Sequence, residues 1–96
     1  MHSQLSFEDF KVWLTELPDQ DNKFFIPGSN CNCPIAVYAS ARIGEPCWVA
    51  YDQISKIGLP MEKTDIILRA TWVLEVVSIV DTETSPLSAK EVLALI

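Results

Sequence analysis

The residues best suited to chemistry are few. The chain has three cysteines and one histidine, and two of the cysteines lie one residue apart in "GSNCNCPIAVYASA", residues 28–41. Cys31 and Cys33, with Cys47 further on, could hold a metal, form a disulfide, attack as thiolates or simply fill space. A zinc centre takes four ligands, usually supplied by C-x₂-C-type pairs. This chain offers C-x-C and Cys47, so a fourth ligand would have to be His2 or a carboxylate such as Asp52. That spacing and ligand set are poor, and no metal and no cofactor are expected. A disulfide between Cys31 and Cys33 would close a small strained ring, and one to Cys47 needs a geometry that the sequence does not specify.

An activated thiol is the sharper alternative. Cys33 precedes Pro34 at the expected start of a helix, where unpaired backbone N–H groups and the helix dipole favour a thiolate. Catalysis would also require a base and an orienting group, and the one histidine sits at position 2. The plainer reading is that these cysteines act as small buried apolar side chains. Other constellations are missing. There is no P-loop or dinucleotide fingerprint, and three glycines in all. The acidic pairs Glu8–Asp9 and Glu62/Asp65 fall at expected helix starts, where the dipole explains them. The loop before Pro34 could cradle an anion, but that junction alone assigns nothing. No catalytic residue is assigned, and nothing in the sequence points to an enzyme.

The elements that position these residues follow from pattern. "SFEDFKVWLTELP" predicts a helix capped by Ser6 and stopped by Pro18, with Phe7, Phe10, Leu14 and Leu17 on one stripe and Trp13 widening it. Residues 18–33 read as a long loop whose centre, "FFIPG", tucks apolar side chains under the fold and turns at Pro27–Gly28. Pro34 suits the first helical position and Gly44 the end of "PIAVYASARI". "CWVAY" and "QISKI" read as a β-hairpin. "KTDIILRATWVLEVVSIVD" is rich in β-branched residues, yet its apolar positions form a helical face over a stretch too long for an ordinary strand. A single helix over 64–81 is therefore expected. Ser88 and Glu91 predict a capping box on a short final helix with Val92, Leu93 and Ile96 inward. The expected fold is a helix-dominated α+β domain, about four helices packed with a small β-hairpin, over residues 1–96 as one compact domain.

Several of these pieces resemble those of small bacterial proteins with no assigned activity: "FKVWLTELP", "CNCPIAVYAS", "GLP", "VVSIVD" and "SPLSAKEVLALI". The resemblance, a W-L-x-x-L-P … C-x-C-P-[IL]-A … S-P-L-S/T-A pattern, covers most of the chain. It implies a bacterial origin and a helix rather than a strand at 64–81, and brings no catalytic residue or cofactor.

Composition bounds the partners. Thirteen acidic residues against seven basic ones give a formal charge of −6, and no two basic residues are adjacent. Nucleic-acid binding wants a concentrated positive face, so no nucleic acid is expected. The longest apolar-rich stretch, 66–80, contains Arg69 and Glu75 and is shorter than the roughly 20 residues a bilayer requires. With no secretory pattern at the start and an odd cysteine count, a soluble, reducing, cytoplasmic setting and no membrane partner are expected. The feature carrying most functional weight is a second apolar strip, Leu68, Trp72, Val76 and Ile79, on the expected long helix. A helix apolar nearly all round must be covered on both sides. Either the rest of the chain covers that strip, or it is an interaction surface for a protein partner or a second copy, with Trp72 as anchor. The expected function is that of a non-enzymatic interaction or regulatory protein, with a homodimer as one form. The alternatives are a thiol-dependent or metal-binding protein using Cys31, Cys33 and Cys47, and an acidic inhibitor or mimic of the phage type.

Overall fold

Four helices and one three-stranded antiparallel sheet build the described part of the chain, residues 5–57 and 65–96 of a computed structural model. The first helix, α1, spans Phe7–Glu16, and its start is fixed by Ser6, whose Oγ accepts the Asp9 N–H at 3.1 Å. Its other end is closed from a distance: the Gln20 side-chain amide donates to the Leu14 and Leu17 carbonyls, both at 2.8 Å. These are the carbonyls a helix end leaves unpaired. Helix α2, Pro34–Ile43, begins with proline and ends at Gly44, whose φ of 83° needs a residue without Cβ.

Strands β1 (Cys47–Ala50) and β2 (Gln53–Lys56) form the expected hairpin. A third strand, β3 (Asp65–Arg69), joins β2, giving the order β1-β2-β3. The expected single helix over 64–81 is thus corrected: residues 65–69 are strand, and helix α3 occupies only Thr71–Val80. Thr64, where that helix was to begin, and Glu62 lie outside the described residues, as do His2 and the "GLP" piece. The physical reason for the correction is local. Ile66 and Ile67 are β-branched and Ile66 pairs with Ser55 of β2, Ile67 being the extra residue at a bulge, so propensity and pairing agree. The break falls at Ala70, whose backbone is extended (φ −152°) and whose N–H donates to the Asp52 carbonyl at 2.8 Å. Sequence periodicity alone does not locate this break, because the apolar residues of the strand happen to continue the helical stripe. Helix α4, Ala89–Leu95, carries the predicted capping box: Ser88 Oγ accepts the Glu91 N–H and Glu91 accepts the Ser88 N–H.

The core is a ring cluster walled by aliphatic side chains. Phe10 and Tyr38 meet edge to face with centroids 5.3 Å apart, and Trp13, Phe25 and Trp72 close around them. Such pairs each add about 0.5–1.5 kcal/mol beyond their buried area. Tyr38 brings its hydroxyl to the cluster's edge, where it donates to Asp9 Oδ2 at 2.8 Å. Arg42 grips the same carboxylate as a fork, Nε to Oδ2 at 3.0 Å and Nη2 to Oδ1 at 3.2 Å. Burial would raise the Asp9 pKa, but these hydrogen bonds outweigh it and hold the carboxyl below its usual range. Burial and the Asp9 carboxylate push the Tyr38 phenol well above its ordinary value.

The long segment 18–33 is stitched down rather than loose. Phe25 is fully buried and exchanges two backbone hydrogen bonds with Leu87, while Phe24 and Ile26 face outward. Its far end lies along the hairpin, with the Val49 N–H donating to the Asn30 carbonyl at 2.9 Å. Only one of the three apolar residues of "FFI" therefore tucks in as expected.

Candidate functional site

All three cysteines are free, but their settings differ: Cys31 is exposed, and Cys33 and Cys47 are buried. Cys33 caps α2 by position only; its side chain makes no capping hydrogen bond. Burial raises its pKa, and the nearby Asp81 carboxylate adds to the effect against the pull of the Ala36 and Ile35 N–H groups. Burial likewise raises Cys47, whose thiol donates to the Glu45 carbonyl at 3.4 Å. A depressed pKa is what an activated thiol needs, and both buried thiols have the opposite. In the loop before Pro34, the Gly28 N–H is taken internally, donating to Asp81 Oδ1 at 3.0 Å. Among the described residues no three His, Cys, Asp or Glu side chains converge as metal ligands.

The apolar strip expected on one long helix is divided between two elements. Leu68 lies half-buried on β3, while Trp72, Val76 and Ile79 are on α3. Val76 is 3% exposed and belongs to the core, and Trp72 is half-buried against Phe7, Phe10 and Tyr38. The chain therefore covers much of the strip itself. What stays open is an apolar groove of about 240 Å³ in which Trp72, Val76 and Ile79 are joined by Phe7 and Ile96, with Glu75 at its rim. Three of the four predicted residues thus meet in one groove, and Leu68 is not among its lining.

On the opposite flank of α3 lies a larger groove, about 580 Å³, between the helix and the tip of the β1–β2 hairpin. Tyr51, Leu74 and Val77 give it apolar surface, and Asn30, Ser78 and Asp81 give it polar surface. Tyr51 is 81% exposed, and its φ of 58° makes it the one non-glycine at positive φ among the described residues. A bulky residue held there costs about 1–3 kcal/mol, at a hairpin position where glycine or asparagine sits without strain. The tip is tied down on both sides, by the Ala50–Gln53 pairing and by Ala70 N–H to Asp52 carbonyl. Sequence reading missed Tyr51 and Leu74. The available signal was the two-residue connection "YD" between strands, where a turn-favouring glycine would be expected.

Charge is distributed unevenly around these grooves. On α1, α4 and the sheet, ion pairs join Lys11 to Glu8, Arg42 to Asp9 and Glu16, Lys23 to Glu91, and Lys56 to Glu45. Asp19, Asp21, Asp52, Glu75, Asp81 and Glu83 have no basic group within 4.0 Å among the described residues. The uncompensated negative charge is therefore divided between the loop after α1 and the set formed by α3, the turn after it and the hairpin tip. No helix among the described residues is long and apolar enough to cross a membrane. The chain matches no known protein family, no curated protein and no solved structure.

Proposed function

We propose that this chain is a non-enzymatic interaction protein of the bacterial cytoplasm, working through the apolar surface that flanks α3. The observation that carries the reading is the open groove formed by Phe7, Trp72, Val76, Ile79 and Ile96. Aromatic side chains in partly desolvated pockets are the usual anchors of protein interfaces, and Trp72 is held in place here by three neighbouring rings. Ile79, 38% exposed, and Leu74, 43% exposed, add reachable apolar surface to the same helix. The raised thiol pKa values of Cys33 and Cys47 weigh against a thiol enzyme, and among the described residues no cluster of potential ligands supports a metal protein.

Native mass spectrometry of the untagged protein, purified from its own source under reducing conditions without chelator, tests this reading. The expected species is a metal-free assembly, with a second copy or with another polypeptide, that Ile79→Lys dissociates. A chain that stays alone at its cellular concentration, or one that carries zinc or iron, overturns it.

A further inference from the structure

We propose that the free edge of β3 pairs antiparallel with the same strand of a second copy, joining two three-stranded sheets into one of six strands. This surface is separate from the grooves beside α3 and goes beyond the interaction reading above. The sheet has two edges, and the chain treats them differently. The outer edge of β1 is met by segment 18–33, the Val49 N–H donating to the Asn30 carbonyl at 2.9 Å, and α2 packs on the same strand. β3 ends the order β1-β2-β3 and is paired on one side only. No backbone hydrogen bond from elsewhere in the described chain reaches Ile66, Ile67, Leu68 or Arg69. β1 and β2 each bury two residues, whereas none of residues 66–69 is buried, and Ile66 is 53% exposed. Free edges are commonly blunted by lysine or proline, and β3 contains neither. The bulge leaves Ile67 without a partner in the β2 register, so its backbone stays outside that ladder.

A second copy is selected by the strand's own sequence, DIILR, which is complementary to itself when reversed. Two antiparallel copies centred on Ile67 place Ile66 opposite Leu68 and the aspartate at position 65 opposite Arg69, each pair occurring twice by the two-fold symmetry. Apolar residues then meet apolar ones, and each charge meets its opposite. A parallel pairing in register would set acid against acid and base against base. Arg69 is exposed and belongs to none of the ion pairs among the described residues; its Nη2 donates to the neutral Gln53 Oε1 at 3.0 Å.

The test is sedimentation equilibrium of the full chain from about 1 μM to about 1 mM. Salt at about 150 mM screens the repulsion between two chains of formal charge −6. A monomer–dimer equilibrium with a Kd of about 10–100 μM is expected, because strands this short make a small interface. Asp65→Arg and Arg69→Glu each set like charges opposite one another twice, and each alone should weaken the dimer about tenfold or more. Mixed one to one, the two variants are complementary at every charged position and should associate as tightly as the wild type. Ile66→Lys, at an exposed position where folding is not at stake, should weaken the dimer as well. Ile79→Lys, aimed at the α3 groove, should leave it intact. A wild-type chain that stays monomeric to about 1 mM, a dimer that Ile66→Lys leaves unchanged, or two folded charge variants that fail to associate on mixing overturns the proposal. A dimer that Ile79→Lys dissociates and the β3 variants do not overturns it too, while leaving the interaction reading standing.

Discussion

Helices α1 and α3 are both ten residues long and both rich in apolar side chains, yet they are built to different ends. α1 has a side-chain cap at Ser6, two acidic residues in its first turn, and an ion-pair partner for Glu8, Asp9 and Glu16. α3 starts at Ala70 without a side-chain cap, has no charge in its first or last turn that suits the dipole, and leaves Glu75 unpaired among the described residues. α1 shows one large apolar residue to solvent, Val12, in a groove of about 550 Å³ ringed by Glu8, Lys11, Thr15 and Glu16, whereas α3 shows two, Leu74 and Ile79, the second in a groove with apolar Phe7, Trp72, Val76 and Ile96. The comparison teaches that the stabilising devices of the molecule are concentrated on α1 and its neighbours. α3 contributes its inner face, Val73, Val76 and Val80, to the core and leaves Leu74 and Ile79 of its outer face exposed.

The largest effect should come from breaking the α1 side of the contrast. Phe10 is fully buried and touches Trp13, Tyr38 and Trp72. Phe10→Ala should cost about 3–5 kcal/mol of unfolding free energy, read by urea denaturation. A loss under about 1 kcal/mol would mean that the ring cluster is not the centre of the fold. The next effect sharpens the same side. Asp9→Asn removes the carboxylate that Arg42 and Tyr38 share, and its cost should depend on pH. Because the folded-state pKa of Asp9 lies below the unfolded value, the wild-type advantage is complete above about pH 4. It fades as the pH falls through the folded-state pKa. Thermal unfolding of both proteins between pH 7 and about pH 2.5 would show the two curves converging on the acid side. Convergence at alkaline pH would contradict the assignment.

Smaller effects bear on α3 and the cysteines. Ala70→Ser supplies the missing N-cap at a residue already extended and should raise stability by about 0.5–1 kcal/mol in the same urea assay. Ser88→Ala, which dismantles a working cap on α4, should lower it by about as much. A short exposure of the folded protein to iodoacetamide at neutral pH should add one carbamidomethyl group, on exposed Cys31. Cys33 and Cys47 should react only after unfolding. Rapid labelling of Cys33 in the native state, detected by peptide mass, would revive the activated-thiol reading.

Much of the architecture was legible because local signals were strong. Ser6, Pro34, Gly44 and the Ser88/Glu91 pair each mark a boundary that the fold respects. The pattern over residues 65–81 misleads because Leu68, Trp72, Val76 and Ile79, and beside them Ile66, Ala70, Val73 and Val77, keep helical spacing across a strand and a helix. What separates the two elements is the long-range bond from Ala70 N–H to the Asp52 carbonyl, which no window of sequence contains. The candidate site was half legible for the same reason. Trp72, Val76 and Ile79 share a groove because they share a helix, but Tyr51 reaches α3 only through the pairing of β1 with β2 and of β2 with β3.

The most direct test of the account returns to the two helices. A photo-crosslinking phenylalanine derivative would be placed at Ile79 on α3 and, separately, at Val12 on α1, two exposed apolar positions at 38% and 49% exposure. After irradiation of the living source cells, the account predicts one discrete adduct from position 79 and none from position 12. Equal labelling at the two positions, or none at position 79, would contradict the claim that the outer face of α3 is kept for a partner.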